Sequence, residues 1–164
     1  HGMIIDNEIN ATIVKPLKQG VKLHAIIDAC HSGTILDLVH VYNVKADRWV
    51  DNKPPSGRDK GTCGGLAISI SACADDQMAA DTNAFTGKEM AGALTSIFIN
   101  AIKTTPQITY GHLLRVMQQQ IDAANTAGCL NARILNRIFR RKFIQEAQLS
   151  SSEAFDVHSR FFEL

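Results

Sequence analysis

The 164-residue sequence predicts an α/β fold, an open and mostly parallel sheet flanked by helices. A helical segment, a buried strand pattern and a tight Cys-His-Ser-Gly turn follow one another between Asp6 and Gly33. A second buried strand pattern recurs at Leu66–Cys73, and two amphipathic helical stripes come after it. Helix, strand and a turn at the strand's carboxyl end are the arrangement in which open parallel sheets place their sites.

Asp6 is positioned to cap a helix running to about Leu17, with Pro16 and Gly20 marking its end. Val21 to Asp28 (VKLHAIID) is β-branched and apolar and reads as a buried strand. Its alternation sends Leu23, Ala25 and Ile27 to one face and His24, Ile26 and Asp28 to the other. Asn43 to Gly65 is charged and rich in Pro and Gly, which predicts a long exposed loop holding at most a short hairpin. Leu66 to Cys73 (LAISISAC) is the second strand, and Asp75 to Thr86 a further polar loop. In Lys88–Lys103, Met90, Ala93, Leu94, Ile97, Phe98, Ala101 and Ile102 share one helical face. Thr109 is placed to cap a helix to about Ala124, with Tyr110, Leu113, Leu114, Met117 and Ile121 inward. Residues 131–143 repeat the helical pattern with Arg133, Arg137, Arg140, Arg141 and Lys142 off the apolar side, and Phe155–Phe162 suits a last strand.

Seventeen basic against sixteen acidic side chains exclude a polybasic nucleic-acid binder. The basic 133–142 segment has no aromatic platform beside it and reads as a solvated face. No charge-free run approaches the roughly 18 residues that a membrane helix needs. Cys30, Cys63, Cys73 and Cys129 form no C-x-x-C pair and are too sparse for a disulfide scaffold. Reduced thiols in a cytoplasmic or nuclear setting are the expectation. The start at His1-Gly2, without an initiator methionine, suggests that the beginning of a larger protein is missing.

The chemistry concentrates at Asp28-Ala29-Cys30-His31-Ser32-Gly33. A cysteine just past a buried strand, on a turn closed by glycine, is where an exposed nucleophile is expected. Taken alone, such a cysteine reads more readily as a buried, inert thiol than as a nucleophile.

The flanking residues reverse that preference. DACHSG after VKLHAIID, with DNEINATIVKPL upstream, resembles the large-subunit core of a plant type I metacaspase. KGTCGGLAISISAC, DDQMAADT and QLSSSEAFDV resemble that family's small-subunit region, in the family's order and over nearly the whole chain. The resemblance implies a caspase-like three-layer sandwich whose N-terminal strands are missing here. It divides the chain into a large-subunit end (1–42), an intersubunit linker (43–65) and a small-subunit region (66–164), one domain overall. It also implies a calcium-dependent cysteine endopeptidase that cleaves protein substrates after Arg or Lys.

Carried over by position, Cys30 matches the nucleophile, and its backbone N–H the oxyanion hole. Asp28 matches the carboxylate that receives the substrate's basic side chain, a pairing that leaves an acidic substrate residue without a partner. Asp6, Asn7 and Asp37 match calcium ligands, with Asn7 standing where the family has Asp. Without the resemblance Asp6 is a helix cap and Asp37 a solvated side chain. Lys45, Arg48, Lys53, Arg58 and Lys60 are candidate self-cleavage sites in the linker, each otherwise ordinary surface charge. Gln77 and Asp81 fall in a stretch that the resemblance brings near the substrate cleft.

The family's catalytic histidine stands in a Ser-Gly-His-Gly turn, which this sequence lacks. His24 shares the face of Asp28, but six residues of strand at roughly 3.3 Å each put it ~20 Å from Cys30. His31 is the nucleophile's neighbour, and adjacent side chains on extended backbone point apart. His1-Gly2 mimics the catalytic pair, although the residues following it match a later family segment. His40, His112 and His158 have no motif support. The expectation is an endopeptidase portion with impaired activity, and the alternative is a non-catalytic module that binds full-length metacaspases through an unpaired sheet edge.

Overall fold

The computed structural model describes residues 4–28, 35–53, 57, 59–71, 93–127 and 146–163. His1, Cys30, His31, Arg58, Gln77, Asp81 and the 131–143 segment lie outside the described residues.

The first helix is shorter than its pattern suggests. Helix α1 covers Asp6–Ile9 and passes into a π-helical turn at Asn10–Val14. Pro16, which has no N–H to donate, prevents continuation. Asp6 is the first helical residue and not the cap; Ile5 holds the N-cap position, and the Asp6 carboxylate accepts the Asn7 N–H at 2.7 Å.

Five strands follow among the described residues: β1 (Lys22–Ile27), β2 (His40–Asn43), β3 (Arg48–Asp51), β4 (Leu66–Ser71) and β5 (Gln148–Ser151). They form one sheet in the order β1-β4-β5-β2-β3. Among the described strands only β1 and β4 run parallel, with Lys22 opposite Leu66 and Ile27 opposite Ser71. The β2–β3, β2–β5 and β4–β5 pairings are antiparallel. The sheet is therefore mixed, not mostly parallel. The 43–65 segment explains part of the difference, because its hairpin joins β2 to β3 through a turn too short for a parallel crossover. Asn43 Oδ1 accepts the Ala46 N–H at 2.8 Å, and Asp47 closes the turn with a φ of 51°.

The last strand is β5, not the aromatic 155–162 segment. Strand β5 is rich in serine, and Ser150, Ser151 and Ser152 are all buried. Ser152 Oγ accepts the Ala67 N–H at 3.0 Å, and Ser151 Oγ donates to the Ala67 carbonyl at 3.3 Å. Phe155 and Phe162 instead pack around Tyr110 from turns, with centroids at 5.1 and 5.7 Å. The Trp49 indole donates to the Phe155 carbonyl at 2.6 Å and holds this segment to β3.

Helices α2 (Ala93–Thr104) and α3 (Tyr110–Ala127) follow the periodic stripes. Thr109 caps α3, its Oγ1 accepting the His112 N–H at 3.2 Å. Tyr110, Leu113, Leu114, Met117 and Ile121 are all buried, as the 3.6-residue spacing requires. They meet Leu66, Ile68 and Ile70 of β4 in the larger core, while Ala67 joins Val14, Leu36 and Leu38 in a second one. Each core lies on its own face of β4, since successive strand residues alternate.

Candidate active site

Strand β1 ends just before Asp28, the first residue of the candidate site. Leu23, Ala25 and Ile27 pack with Val14, and Ile26 packs with the α2–α3 core, so the two predicted faces are the observed ones. Asp28 follows on the α2 side. Its Oδ2 accepts the Thr95 backbone N–H at 3.0 Å, at the start of α2. The first N–H groups of a helix have no partner within it, and the helix dipole favours an anion there. This bond uses one lone pair of a group that offers about four, so the half-buried carboxylate keeps capacity to accept from a cationic ligand.

Four histidines belong to the described residues: His24, His40, His112 and His158. His24 Nε2 lies 2.6 Å from the Tyr110 hydroxyl, with Phe162 at 5.0 Å between centroids. Desolvation, then the nearby Lys22 and Arg160 charges, lower the His24 pKa. Burial pushes the Tyr110 phenol up to about 12. His40 meets Trp49 edge-on, His112 is exposed on α3, and His158 bonds Asp47 at 2.8 Å. Asp47 also accepts from the Tyr42 hydroxyl, and these bonds, Tyr42 first, hold its carboxyl below the usual range.

The three expected calcium ligands have different settings. Asp6 is exposed and Asn7 half-buried at the start of α1. Asp37 is not a solvated side chain. It is 7% exposed, adopts a φ of 49°, and its Oδ1 lies 2.5 Å from the Lys60 ammonium. Lys60, also 7% exposed, donates in addition to the Asn52 carbonyl at 2.7 Å. Asn10, 2% exposed on the π turn, sends its side-chain N–H groups to the carbonyls of Leu36 (2.9 Å), Asp37 (3.1 Å) and Lys60 (3.4 Å). Among the described residues no three His, Cys, Asp or Glu side chains form a group able to hold a metal ion. With an ammonium already on Asp37, these residues do not fit calcium in this arrangement.

The Lys60–Asn10–Asp37 knot had no signal in the sequence. An asparagine inside a helical pattern and a lysine in a charged loop are both unremarkable locally. The same contacts separate the candidate cut sites. The Lys60 side chain is enclosed, and Arg48 sits in paired β3 opposite Asn43. Lys45 and Lys53 are exposed, paired with Glu146 at 2.7 Å and Asp51 at 3.4 Å. A cleft of about 670 Å³ opens toward the β3 side of the sheet, lined by Val41, Tyr42, Val50, Gln118 and Glu146 among others. Strand β1 lies at the opposite edge of the described strands, so this cleft is separate from Asp28.

Comparison with known proteins bears on the whole chain. The family model described as the metacaspase, peptidase C14 domain matches residues 1–39. The chain is 46% identical to Metacaspase-1 of Arabidopsis thaliana over 99% of its length, and 43% identical to Metacaspase-3 of that plant over the same share. It is 50% identical to Metacaspase-2 of Arabidopsis thaliana over 73% of its length. It spans 48%, 44% and 29% of those three relatives respectively, less than half of each.

Proposed function

Because the chain belongs to the metacaspase family, whose members are cysteine peptidases, we propose that it carries the nucleophile and the basic-residue pocket of an endopeptidase cutting after Arg or Lys. The Asp28 carboxylate carries this reading: half-buried, held by the α2 N-terminus, and two residues before Cys30. Such a carboxylate pairs with a guanidinium or ammonium, whereas an acidic side chain there meets repulsion. The caspase-like three-layer arrangement and cytoplasmic setting belong to the same reading.

In the proposed reaction the Cys30 thiolate attacks the scissile carbonyl carbon, and the Cys30 N–H stabilises the resulting oxyanion. The C–N bond then breaks as the leaving amine takes a proton, and water hydrolyses the thioester. A histidine is the required acid and base. The resemblance puts that histidine in a Ser-Gly-His-Gly turn, which this sequence lacks, so the 164-residue polypeptide alone is expected to turn over little or no substrate. Calcium remains the proposed activator and takes no part in bond making, but Asp37, held by the Lys60 ammonium, does not fit as its ligand in this arrangement.

Active-site-directed halomethyl ketones test the assignment without requiring turnover. An arginyl probe should label Cys30 in preference to Cys63, and an aspartyl analogue should not. Asp28→Asn should erase the difference between probes. Equal labelling of Cys30 by both probes in the parent chain would sink the pocket assignment.

A second reading, a non-catalytic module that binds full-length metacaspases, draws on the β1 edge. Among the described residues β1 pairs only with β4, and Ile13 and Val21 nearby in sequence are exposed. An unpaired strand edge is a template for another chain. Sedimentation showing a monodisperse monomer, with no affinity for a full-length relative, would count against this role.

A further inference from the structure

The cleft on the β3 side of the sheet has no part in the chemistry at Asp28, yet its volume of about 670 Å³ falls within the roughly 300–1,000 Å³ of ordinary ligand sites. Val41, Val44 and Val50 give it an aliphatic wall. Its charged lining is three carboxylates, Asp51, Asp122 and Glu146, against one ammonium, Lys45. Gln118 braces the acidic side, its Nε2 donating to Asp122 Oδ1 and its Oε1 accepting the Ala147 N–H, each at 3.0 Å. Lys45 lies on Glu146 at 2.7 Å, and Lys53, outside the lining, on Asp51 at 3.4 Å. Both lysine side chains are exposed, and exposed pairs of this kind are weak enough to yield to a better-placed cation. The side-chain carbonyl of Gln148, also in the lining, is buried with no hydrogen-bond partner among the described residues. A buried acceptor of that kind calls for a donor.

We infer that this cleft is a docking site for an extended basic peptide, which pairs with β3 and lodges arginine or lysine side chains among the three carboxylates. Among the described strands β3 is an edge. Asn52 N–H donates to the Val39 carbonyl at 2.7 Å, and bonded and non-bonded pairs alternate along an antiparallel ladder. Arg48 and Val50 therefore also turn their backbone groups to β2, whereas Trp49 and Asp51 turn theirs outward, where an added strand bonds them. Every second side chain of such a strand shares a face, so alternating basic residues reach the cleft together. Their aliphatic stems pack on the valines while the charged heads meet the carboxylates. An acidic peptide would meet repulsion from all three. The site is distinct from the Asp28 pocket. Strands β1 and β3 are four spacings apart in the sheet, roughly 19 Å, and docking here requires no catalysis.

The test uses the intact chain and a fluorescein-labelled peptide of about eight residues in which arginine and valine alternate. Its fluorescence anisotropy should report binding about tenfold or more tighter than that of the citrulline counterpart, which keeps the shape and loses the charge. Asp51→Asn combined with Glu146→Gln should weaken the arginine peptide by about tenfold or more, and Asp28→Asn by less than about twofold. Methylating the peptide nitrogens that face β3 should also weaken it about tenfold. No binding, or equal binding of the arginine and citrulline peptides, overturns the inference. Loss of binding in Asp28→Asn alone puts the peptide in the Asp28 pocket, which overturns the cleft site and leaves the peptidase reading standing. A diazirine side chain in the middle of the peptide decides the matter without any variant. Its cross-links to the parent chain, mapped by mass spectrometry, should fall on residues 41–45 or 50–52, and cross-links confined to β1 overturn the site.

Discussion

Replacing Lys60 by methionine removes the charge from one end of a buried pair and leaves the other in place. The methionine fills similar volume, so the loss is electrostatic. Asp37 keeps its carboxylate at 7% exposure without the ammonium 2.5 Å away, and the Asn52 carbonyl loses its donor. Breaking a buried pair from one side costs about 3–5 kcal/mol, because an uncompensated charge remains. That is a large share of the roughly 5–15 kcal/mol that holds a typical domain folded. For a chain of this size it corresponds to a fall in Tm of about 10 °C. Urea titration without metal should show this loss, alongside Lys53→Met, which breaks an exposed pair with Asp51 and should cost less than about 1 kcal/mol. Asp37→Asn combined with Lys60→Met should recover most of the loss, since no charge is then stranded. If Lys60→Met and Lys53→Met unfold at the same urea concentration, the Lys60 pair is not the buried contact described.

Three further outcomes follow from named contacts. His24 has a folded-state pKa below its unfolded value, so the unfolded chain binds more protons; stability should fall as pH drops below about 6.5 and level off beneath the folded pKa, and His24→Gln should flatten that part of a pH-resolved thermal melt. Asp28→Ala removes the acceptor for the Thr95 N–H and should cost about 1 kcal/mol by denaturant titration, whereas Asp28→Asn keeps an acceptor and should cost less. Trp49→Phe leaves the Phe155 carbonyl without its donor and should cost about 1–3 kcal/mol, visible as a lower Tm by circular dichroism.

Apolar periodicity made the parallel β1–β4 pair and the main helices legible. Strands β1 and β4 and helix α3, with its Thr109 cap, fall within a few residues of their patterns. Strand β5 was hidden because Ser150 and Ser151 are polar by type yet buried by pairing, and a hydrophobicity pattern cannot register hydrogen bonds to a strand distant in sequence. Phe155 and Phe162 misled in the opposite sense, since aromatic residues suit a strand and equally suit a turn packed on Tyr110. At the site, the strand face of Asp28 was readable from alternation, but its bond to Thr95 spans 67 positions. The ion pair of Asp37 with Lys60 was unreadable for a similar reason. Two charged residues 23 positions apart, in segments that look exposed, give no local sign that Asn10 of a distant helix gathers both.

The glycines before β4 show how closely the segment that precedes it is joined to β1. A Cβ on Gly65 would come within 2.7 Å of Leu17 Cβ and 2.8 Å of the Lys18 carbonyl, so this position accepts no side chain unless the backbone moves. That close approach lets Gly65 N–H reach the Leu17 carbonyl and Leu66 N–H reach that of Val21, after which β4 enters parallel register with β1. The segment carrying Lys60 therefore runs straight into the strand that supports Asp28. A rearrangement confined to the residues before Cys63 leaves this register intact, whereas one that pulled Gly65 away would misalign β1 and β4 and displace Asp28 from Thr95.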